Sequence, residues 1–435
     1  MWILLAALAP DLPGGLLRPD DFVLVALALP VALRATRTWR LQAPMRLLAV
    51  LVALLGLAVL SSLGSALAGY GLPDRLPKEV FRVFKYLTLV VVFASVQRRE
   101  IMSVIRALFL ATVLVVGIQL MQLRDVFDIN HFMGAYYGRT DRFEELAYMV
   151  RTRGIASRPA STFVNPNVLA HFLTVSLILA AILFVGRHRY QPGHANIGPW
   201  LVAAVLLLCA VSLVLAQSRT AFAALAVAGT VVVVRTTGRG IPGSFVVMGL
   251  GLGGLVLAFA FTFDSSRLFD LLLTSGVGDS SFEQKISRLV GSIQIALGTD
   301  LWQAIIGHGP NDRFAEHADY IPADSEYGYV MLWYGILGLL TYMVLIFAML
   351  HVARSSHGGL VLRTAVVGLV SAMLVFGFTE TTLINNRVFP FFLLIIGLAH
   401  ADGVAGRRDD RAAPWEAVVT AAGQGDGGGT ITVRH

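Results

Sequence analysis

Long apolar stretches dominate this chain and limit the folds that it can adopt. Hydrophobic residues account for 56% of its 435 residues and charged residues for only 14%. A soluble domain of this size has no need for so much apolar surface. The repeated stretches of about 17–25 apolar residues have the length that a helix needs to cross a bilayer. The sequence therefore predicts an all-α, polytopic integral membrane helix bundle.

We predict about twelve transmembrane helices in a bundle that occupies residues 1–402. The first contains Pro10 and Pro13, and the apolar run of the second is too short to cross a bilayer unaided. The tail, 403–435, contains a glycine-rich stretch and is predicted to be disordered. The approximate bounds of the spans are 2–15, 20–34, 46–68, 79–97, 101–122, 166–186, 199–216, 219–235, 243–263, 327–352, 362–379 and 387–402.

Arginine is unevenly distributed between the turns that connect these spans. With the N-terminus in the cytoplasm, the inside turns hold groups such as Arg98 and Arg99, whereas the short outside turns hold few. Cytoplasmic loops of membrane proteins carry an excess of lysine and arginine. The pattern therefore predicts that both termini are cytoplasmic and that two long hydrophilic segments, 123–164 and 264–326, lie outside.

Composition disfavours several classes of function. The single cysteine, Cys209, lies inside an apolar stretch, which excludes a disulfide framework and a cysteine-based zinc site. The net charge of +7 comes mostly from arginine near membrane ends, so we expect no nucleic-acid partner. No Asp-x-Asp motif or acidic cluster suits a metal, and we expect neither a metal nor a cofactor. The N-terminus lacks a basic region and a cleavage site, so we expect no removed signal peptide.

The first outer loop is rich in arginine and ends in a proline turn. Thr140 is placed to cap a helix over 141–152, and Gly154 to end it. The loop closes with Asn165-Pro166-Asn167. Its arginines either contact lipid headgroups and water or form a phosphate clamp, since guanidinium binds phosphate oxygens in bidentate fashion. They are Arg124, Arg139, Arg142, Arg151, Arg153 and Arg158.

The second outer loop has more predicted structure. Ser280 or Ser281 caps a helix whose apolar residues recur at helical spacing, and this helix lies on the membrane or on the bundle. A short helix near 300–306 follows, and Gly307 ends it. His308, between two glycines, is either structural or a substrate contact. His317, Asp324 and Glu326 lie at the water boundary, where acids either act chemically or cap the next helix.

Ionisable residues near membrane depth are costly and usually face a cavity. Arg219 lies in a tight turn between two predicted spans, Arg82 and Lys85 are one turn apart near the outer end of the fourth span, and Glu380 closes the eleventh span. Together they place cations and one carboxylate around an outward-facing cavity. Snorkelling to the interface is the alternative for Arg82 and Lys85.

With these residues in place, the chain resembles the O-antigen ligase and O-antigen polymerase superfamily. Those polytopic enzymes transfer lipid-linked glycans at the outer face of the bacterial inner membrane. The resemblance covers most of the chain and rests on the order, spacing and topology of four features. They are Thr162-Phe163-Val164-Asn165-Pro166-Asn167, Gln217-Ser218-Arg219-Thr220, the large outer loop with Ser287-Arg288-Leu289 and Gly307-His308-Gly309, and Trp333 through Gly338 after a polar turn.

The resemblance implies where a glycan donor would bind. In the family, an arginine of the Ser-Arg turn and one of the large loop bind the pyrophosphate of an undecaprenyl donor; by motif these are Arg219 and Arg288. We predict that Arg158, Arg82 and Lys85 assist them. Asn167, His308 and Glu380 are predicted substrate contacts.

The ligase branch has a His-Asn pair before the span that follows the loop, and this chain has Asp324-Ser325-Glu326 instead. The difference favours a polymerase of O-antigen, capsule or exopolysaccharide units. It leaves Glu326, Asp324 and His317, in that order, as candidates for the general base. The expected reaction is a metal-independent, inverting glycosyl transfer. The expected partners are the donor, a glycan acceptor, the bilayer and a chain-length regulator.

Three alternatives remain from the sequence. A ligase would transfer the glycan to lipid A core. A transporter or flippase would show repeated halves and charged residues at mid-membrane, whereas these residues gather at the outer face and the halves do not match. The glycines of the ninth span favour transport, although close helix packing explains them more simply. A peptidoglycan polymerase of the shape-and-division type has similar topology, but its motifs are not found.

Overall fold

The structure is a computed structural model of the chain. It describes residues 1–9, 18–38, 44–69, 71–73, 75–137, 140–154, 156, 158–163, 165–186, 197–237, 280–298, 300–310, 325–355, 359–378, 380–383, 385 and 387–405. The ninth predicted span, His317, Asp324 and the tail beyond residue 405 lie outside these residues.

Every regular element in the described part of the chain is a helix, as the sequence predicts. In chain order they are α1 (Trp2–Leu8), α2 (Pro19–Thr38), α3 (Met45–Leu67), α4 (Leu76–Ala94), α5 (Arg98–Arg124), α6 (Ile129–Tyr137), α7 (Thr140–Arg153), α8 (Pro166–Gly186), α9 (Pro199–Ala216), α10 (Arg219–Thr237), α11 (Ser280–Gly298), α12 (Leu301–Ile306), α13 (Glu326–Ser355), α14 (Leu360–Phe376) and α15 (Phe389–Ala405). Short 3₁₀ turns cover Val126–Asp128 and Ser161–Phe163.

Five of these helices are long and apolar enough to cross a membrane, which is typical of a membrane protein. They are α3, α5, α8, α9 and α13. Each coincides with a span predicted from the sequence. Two shorter apolar helices, α14 and α15, coincide with the last two predicted spans. The total of twelve spans stays a prediction.

The prediction of one continuous span over 2–15 is wrong. Helix α1 has seven residues and ends at Leu8, and the backbone of the next residue, Ala9, is extended. Seven residues rise only about 10 Å, a third of a hydrocarbon core of roughly 30 Å. The residue before a proline is disfavoured in the α conformation, and Pro10 follows directly.

The two long hydrophilic segments contain the helices that their caps predict. The helix predicted over 141–152 is α7, which Gly154 follows with a φ of 73°. Its apolar side is buried at Phe143 and Leu146. The two helices predicted in the second loop are α11 and α12. Helix α6 is not among the predicted helices, although Asp128 precedes it and Asp125 Oδ1 accepts the backbone N–H of Asn130 over 2.9 Å.

The bundle is built around α8. Of the 18 most apolar consecutive residues of α8, 83% are buried inside the protein, whereas 39% of the corresponding residues of α3 are buried. Helix α14 packs against α8, α10 and α13, and α15 is buried along most of its length. Aromatic rings connect the layers: Phe391 of α15 lies 4.8 Å from Phe172 of α8, between ring centroids.

Helix α13 is broken at Gly335, where φ is 63° and ψ is −159°. The break frees carbonyl groups, and the turn after α12 binds them. The backbone N–H of His308 donates to Leu332 O over 3.0 Å, and that of Gly309 donates to Trp333 O over 2.9 Å. The turn with its two glycines therefore serves as a dock for the interrupted helix.

Polar side chains gather at one end of the bundle, which we call the loop end. It contains the starts of α4, α8, α10 and α13, the end of α14, and the turn of Gly307 to Gly309. The opposite end joins Arg98 to Asp402 over 3.4 Å and brings Arg46 within 3.3 Å of His351. All described residues that the sequence predicts as substrate contacts belong to the loop end or to α11 beside it.

Candidate functional site at the loop end

Three predicted site residues join in one hydrogen-bonded chain, the Asn167 chain. An Nη of Arg158 donates to Asn167 Oδ1 over 3.0 Å. Asn167 Nδ2 donates to Glu380 Oε1 over 2.6 Å. All three side chains are partly exposed. The guanidinium of Arg158 and the carboxylate of Glu380 thus lie on either side of the Asn167 amide and remain accessible from outside the protein.

Local backbone geometry places each member of this chain. Asn165 Oδ1 accepts the N–H of Asn167 over 2.8 Å, and Pro166 begins α8, so the amide points from a helix start. Arg158 has a φ of 52°, an uncommon conformation for a non-glycine residue. Glu380 follows α14, and its N–H donates to Phe376 O over 2.8 Å.

The tight turn that carries Arg219 adjoins the Asn167 chain. Arg158 Nε donates to Ala216 O over 3.3 Å. Gln217 has a left-handed backbone that ends α9, and Arg219 then begins α10 with its side chain exposed. Arg158 is therefore bonded to the segment that sets the direction of Arg219.

The start of α10 has features of an anion site. The side chain of Ser218 is buried, and its Oγ has no hydrogen-bond partner among the described residues. Helix N-termini attract anions through their N–H groups and dipole. The positive charge of Arg219 in the first turn opposes the helix dipole. An anion bound there would accept the hydroxyl of Ser218 and lie beside the Arg219 guanidinium.

The sequence analysis missed Arg387, which holds the two sides of the loop end together. Arg387 Nη1 donates to Thr162 O over 2.8 Å, and its Cζ lies 5.5 Å from the ring centroid of Tyr137. Burial raises the pKa of the Tyr137 hydroxyl above its usual value, and this hydroxyl donates to Leu8 O. The available signal was an arginine at the first position of the last predicted span.

Glu326, the first candidate for the general base, is buried in a structural contact. Its exposed fraction is 0%. Its Oε2 accepts the backbone N–H groups of Thr382 and Leu383, the latter over 2.8 Å. Its own N–H donates to Gly377 O over 2.9 Å. These hydrogen bonds attach the start of α13 to the connection between α14 and α15.

Arg82 also contacts the protein interior. It forms an ion pair with Glu79 on the same helix, and Glu79 accepts the hydroxyl of Tyr334 over 3.0 Å. Both charged side chains are buried. The pair lies beside the break in α13, because Tyr334 directly precedes Gly335. The ion pair is therefore placed to stabilise the break in α13, and its burial keeps it from contact with a substrate.

Lys85 belongs to a buried network of four charged side chains. Its Nζ lies 3.0 Å from Asp20 Oδ2 and 2.6 Å from Asp21 Oδ1. Arg18 Nε lies 3.5 Å from Asp20 Oδ1. Lys85 is 2% exposed. Two positive and two negative groups balance each other, so Lys85 secures α2 to α4 rather than facing a ligand.

We expect Lys85→Met to lower the free energy of unfolding by about 3 kcal/mol, because removal of one partner leaves buried charges uncompensated. Lys78→Met is the matched control, since Lys78 is exposed on the same helix. Thermal unfolding of both variants in lipid nanodiscs measures the difference. A Lys85 variant as stable as the control would contradict the structural role.

His308 is buried in the turn that docks the broken helix. Its exposed fraction is 1%, and burial lowers the pKa of its imidazole to about 4. The ring is therefore neutral at pH 7. His308 therefore adds no positive charge for a phosphate, and its burial leaves the predicted contact with a substrate a prediction.

Arg219 and Arg288 lie on helices with different packing partners. Helix α10 packs against α8 and α14, whereas α11 packs against α12 and α13. The side chain of Arg288 is partly exposed. Their joint action on one pyrophosphate stays a prediction, while Arg158 is the arginine that the described contacts connect to the Arg219 turn.

A scan against protein-family models finds no match. A search of the curated proteins finds none either.

Proposed function

We propose that this chain is a membrane-embedded glycosyltransferase that joins oligosaccharide units carried on undecaprenyl pyrophosphate. It would act as a polymerase of O-antigen, capsule or exopolysaccharide at the periplasmic face of a bacterial inner membrane. In this proposal about twelve spans cross the membrane, both termini are cytoplasmic, and the loop end faces the periplasm.

One observation carries the proposal. Arg158, Asn167 and Glu380 were selected from the sequence as substrate contacts, and they form one hydrogen-bonded chain beside the turn of Arg219. The two arginines supply positive charge for a diphosphate, and the carboxylate can accept a proton. Transfer of a sugar from a pyrophosphate to a hydroxyl needs both kinds of group.

In the proposed mechanism the pyrophosphate binds at the start of α10. Arg219 and Arg158, with Arg288 from α11, stabilise the charge that develops as the bond between the anomeric carbon and the pyrophosphate oxygen breaks. A preorganised donor of this kind contributes about 3 kcal/mol. Pyrophosphate is a good leaving group, so the step does not require a metal. Direct displacement inverts the anomeric carbon.

A carrier function has one observation in its favour. Helix α13 is interrupted at Gly335, and broken helices are common in transporters. A flippase would move a lipid-linked glycan across the bilayer without forming a bond. An enzyme would form a new glycosidic bond on one side.

The deciding experiment uses the purified chain in liposomes with a lipid-linked repeat unit. We expect a ladder of products with increasing numbers of units. A single product joined to lipid A core would identify a ligase instead. Movement of the labelled substrate across the bilayer without a new glycosidic bond would identify a carrier and refute the transferase.

A further inference from the structure

The connection between α14 and α15 is held from two sides. Residues 380–383 of this connection contact α8 through Glu380, and they contact the start of α13 through the backbone of Thr382 and Leu383. The hydroxyl of Tyr86 on α4 donates to Leu383 O over 2.7 Å. Three helices, α4, α8 and α13, thus determine where this short segment lies.

The two glutamates at this segment have different surroundings. Glu326 is fully buried, and one of its oxygens is occupied by two backbone N–H groups. Glu380 is partly exposed and lies at the end of the Asn167 chain. A general base must come within hydrogen-bond reach of the proton that it removes. Of these two glutamates, only Glu380 is accessible to an acceptor that arrives from outside the bundle.

We infer that Glu380 accepts the proton of the acceptor hydroxyl and that Glu326 is a positioning residue that holds the 380–383 segment in place. The inference rests on the proposed glycosyl transfer. It replaces Glu326, the first candidate from the sequence, with a residue that the sequence suggested only as a substrate contact. Asp324 and His317 lie outside the described residues.

Asn167 gives Glu380 its orientation. Its amide Nδ2 donates to Glu380 Oε1, while its Oδ1 accepts from Arg158. An amide bonded on both sides cannot turn over without losing both bonds. Glu380 and Arg158 are therefore fixed on either side of the Asn167 amide, so the proton acceptor and the group that binds the leaving pyrophosphate are held apart, as displacement with inversion requires.

Glu326 acts through the backbone. Two N–H groups on one carboxylate oxygen fix the peptides of Thr382 and Leu383, and Ser325 Oγ donates to Gly377 O over 2.9 Å. The start of α13 thus contacts the chain on both sides of Glu380, at Gly377 before it and at Thr382 and Leu383 after it. Charge-assisted hydrogen bonds of this kind are the strong ones.

Glu380 takes part in a single displacement at the anomeric carbon. The acceptor oxygen forms a bond to the anomeric carbon, and its proton moves to the Glu380 carboxylate. The bond from the anomeric carbon to the pyrophosphate oxygen breaks, and undecaprenyl pyrophosphate leaves with the electron pair. Glu380 then releases the proton to water.

The test measures kcat and KM against pH in liposomes with a lipid-linked repeat unit. We expect the wild-type kcat to fall about tenfold per pH unit at low pH, because a protonated carboxyl cannot act as a base. We call this decrease of kcat the acid limb. Glu380→Gln should lower kcat by about 100-fold or more and remove this acid limb. Its KM should stay within about twofold, because the amide keeps the bond to Asn167. Glu144→Gln, an exposed change on α7, is the matched control.

Glu326→Gln distinguishes positioning from catalysis. Its amide oxygen can still accept both N–H groups, so we expect the acid limb to remain and activity to exceed that of Glu326→Ala. Loss of the acid limb in Glu326→Gln, or its retention in Glu380→Gln, would overturn the inference. A wild type that forms no glycosidic bond would overturn the proposed function itself, and the inference with it.

Discussion

Arg158→Ala is expected to lower the rate of glycan transfer by about 100- to 1000-fold, the usual cost of one preorganised donor to a developing negative charge. Arg158 is bonded to both Asn167 and Ala216, so its guanidinium is fixed before the substrate arrives. The substitution also removes the hydrogen bond to Asn167 Oδ1, so the amide that orients Glu380 is held less firmly. Initial rates with a lipid-linked repeat unit in liposomes measure the loss.

Arg158→Lys and Arg99→Ala make this prediction specific. Lysine keeps the charge but lacks the planar fork that holds two acceptors at once, so we expect it to recover little activity. Arg99 is exposed at the opposite end of the bundle, and its loss should leave transfer unchanged. An Arg158→Ala variant with wild-type rates would remove this arginine from the site.

Gly307→Ala is expected to prevent the chain from reaching its native fold, at a cost of roughly 4 kcal/mol or more, a range that single substitutions rarely reach. Gly307 has a φ of 81°, where an L side chain is strained. A Cβ there would overlap the backbone of Trp333 and Tyr334. Backbone cannot move aside cheaply, so the turn would leave the broken helix α13.

Gly56→Ala is the matched control for this substitution. Gly56 lies within α3, and a Cβ there meets nothing within 4 Å. Alanine also has the higher helix propensity, so this variant should insert and unfold like the wild type. Size-exclusion profiles and thermal unfolding in detergent compare the two. A monodisperse Gly307→Ala protein with the stability of the control would contradict the docking of the turn on α13.

Much of the helical structure is predictable because its causes are local. Thr140 and Gly154 bound the observed α7 to within a residue, and Gly307 ends α12 as predicted. Caps, prolines and left-handed glycines act over three or four residues. Five apolar stretches likewise match helices of spanning length, because the bilayer sets that length independently of packing.

The candidate site was predictable only in part. The residue types of Arg158, Asn167 and Glu380 were recognised, but their assembly was not, since Asn167 and Glu380 are 213 positions apart. Lys85 was predicted to bind pyrophosphate, and the structure surrounds it with carboxylates from α2. Sequence patterns show which side chains carry charge near a membrane end. They do not show which of them neutralise one another.

The sequence by itself determined that the described part of the chain is helical, that five of its helices are long and apolar enough to cross a membrane, and where most of the described helices begin and end. These properties follow from hydrophobic length and from backbone chemistry within a few residues. Only the tertiary structure decided that α13 breaks at Gly335, that Glu326 is enclosed and that Glu380 is joined to Arg158. Those outcomes depend on contacts between helices distant in the chain, where burial and the pairing of charges settle the role of each side chain.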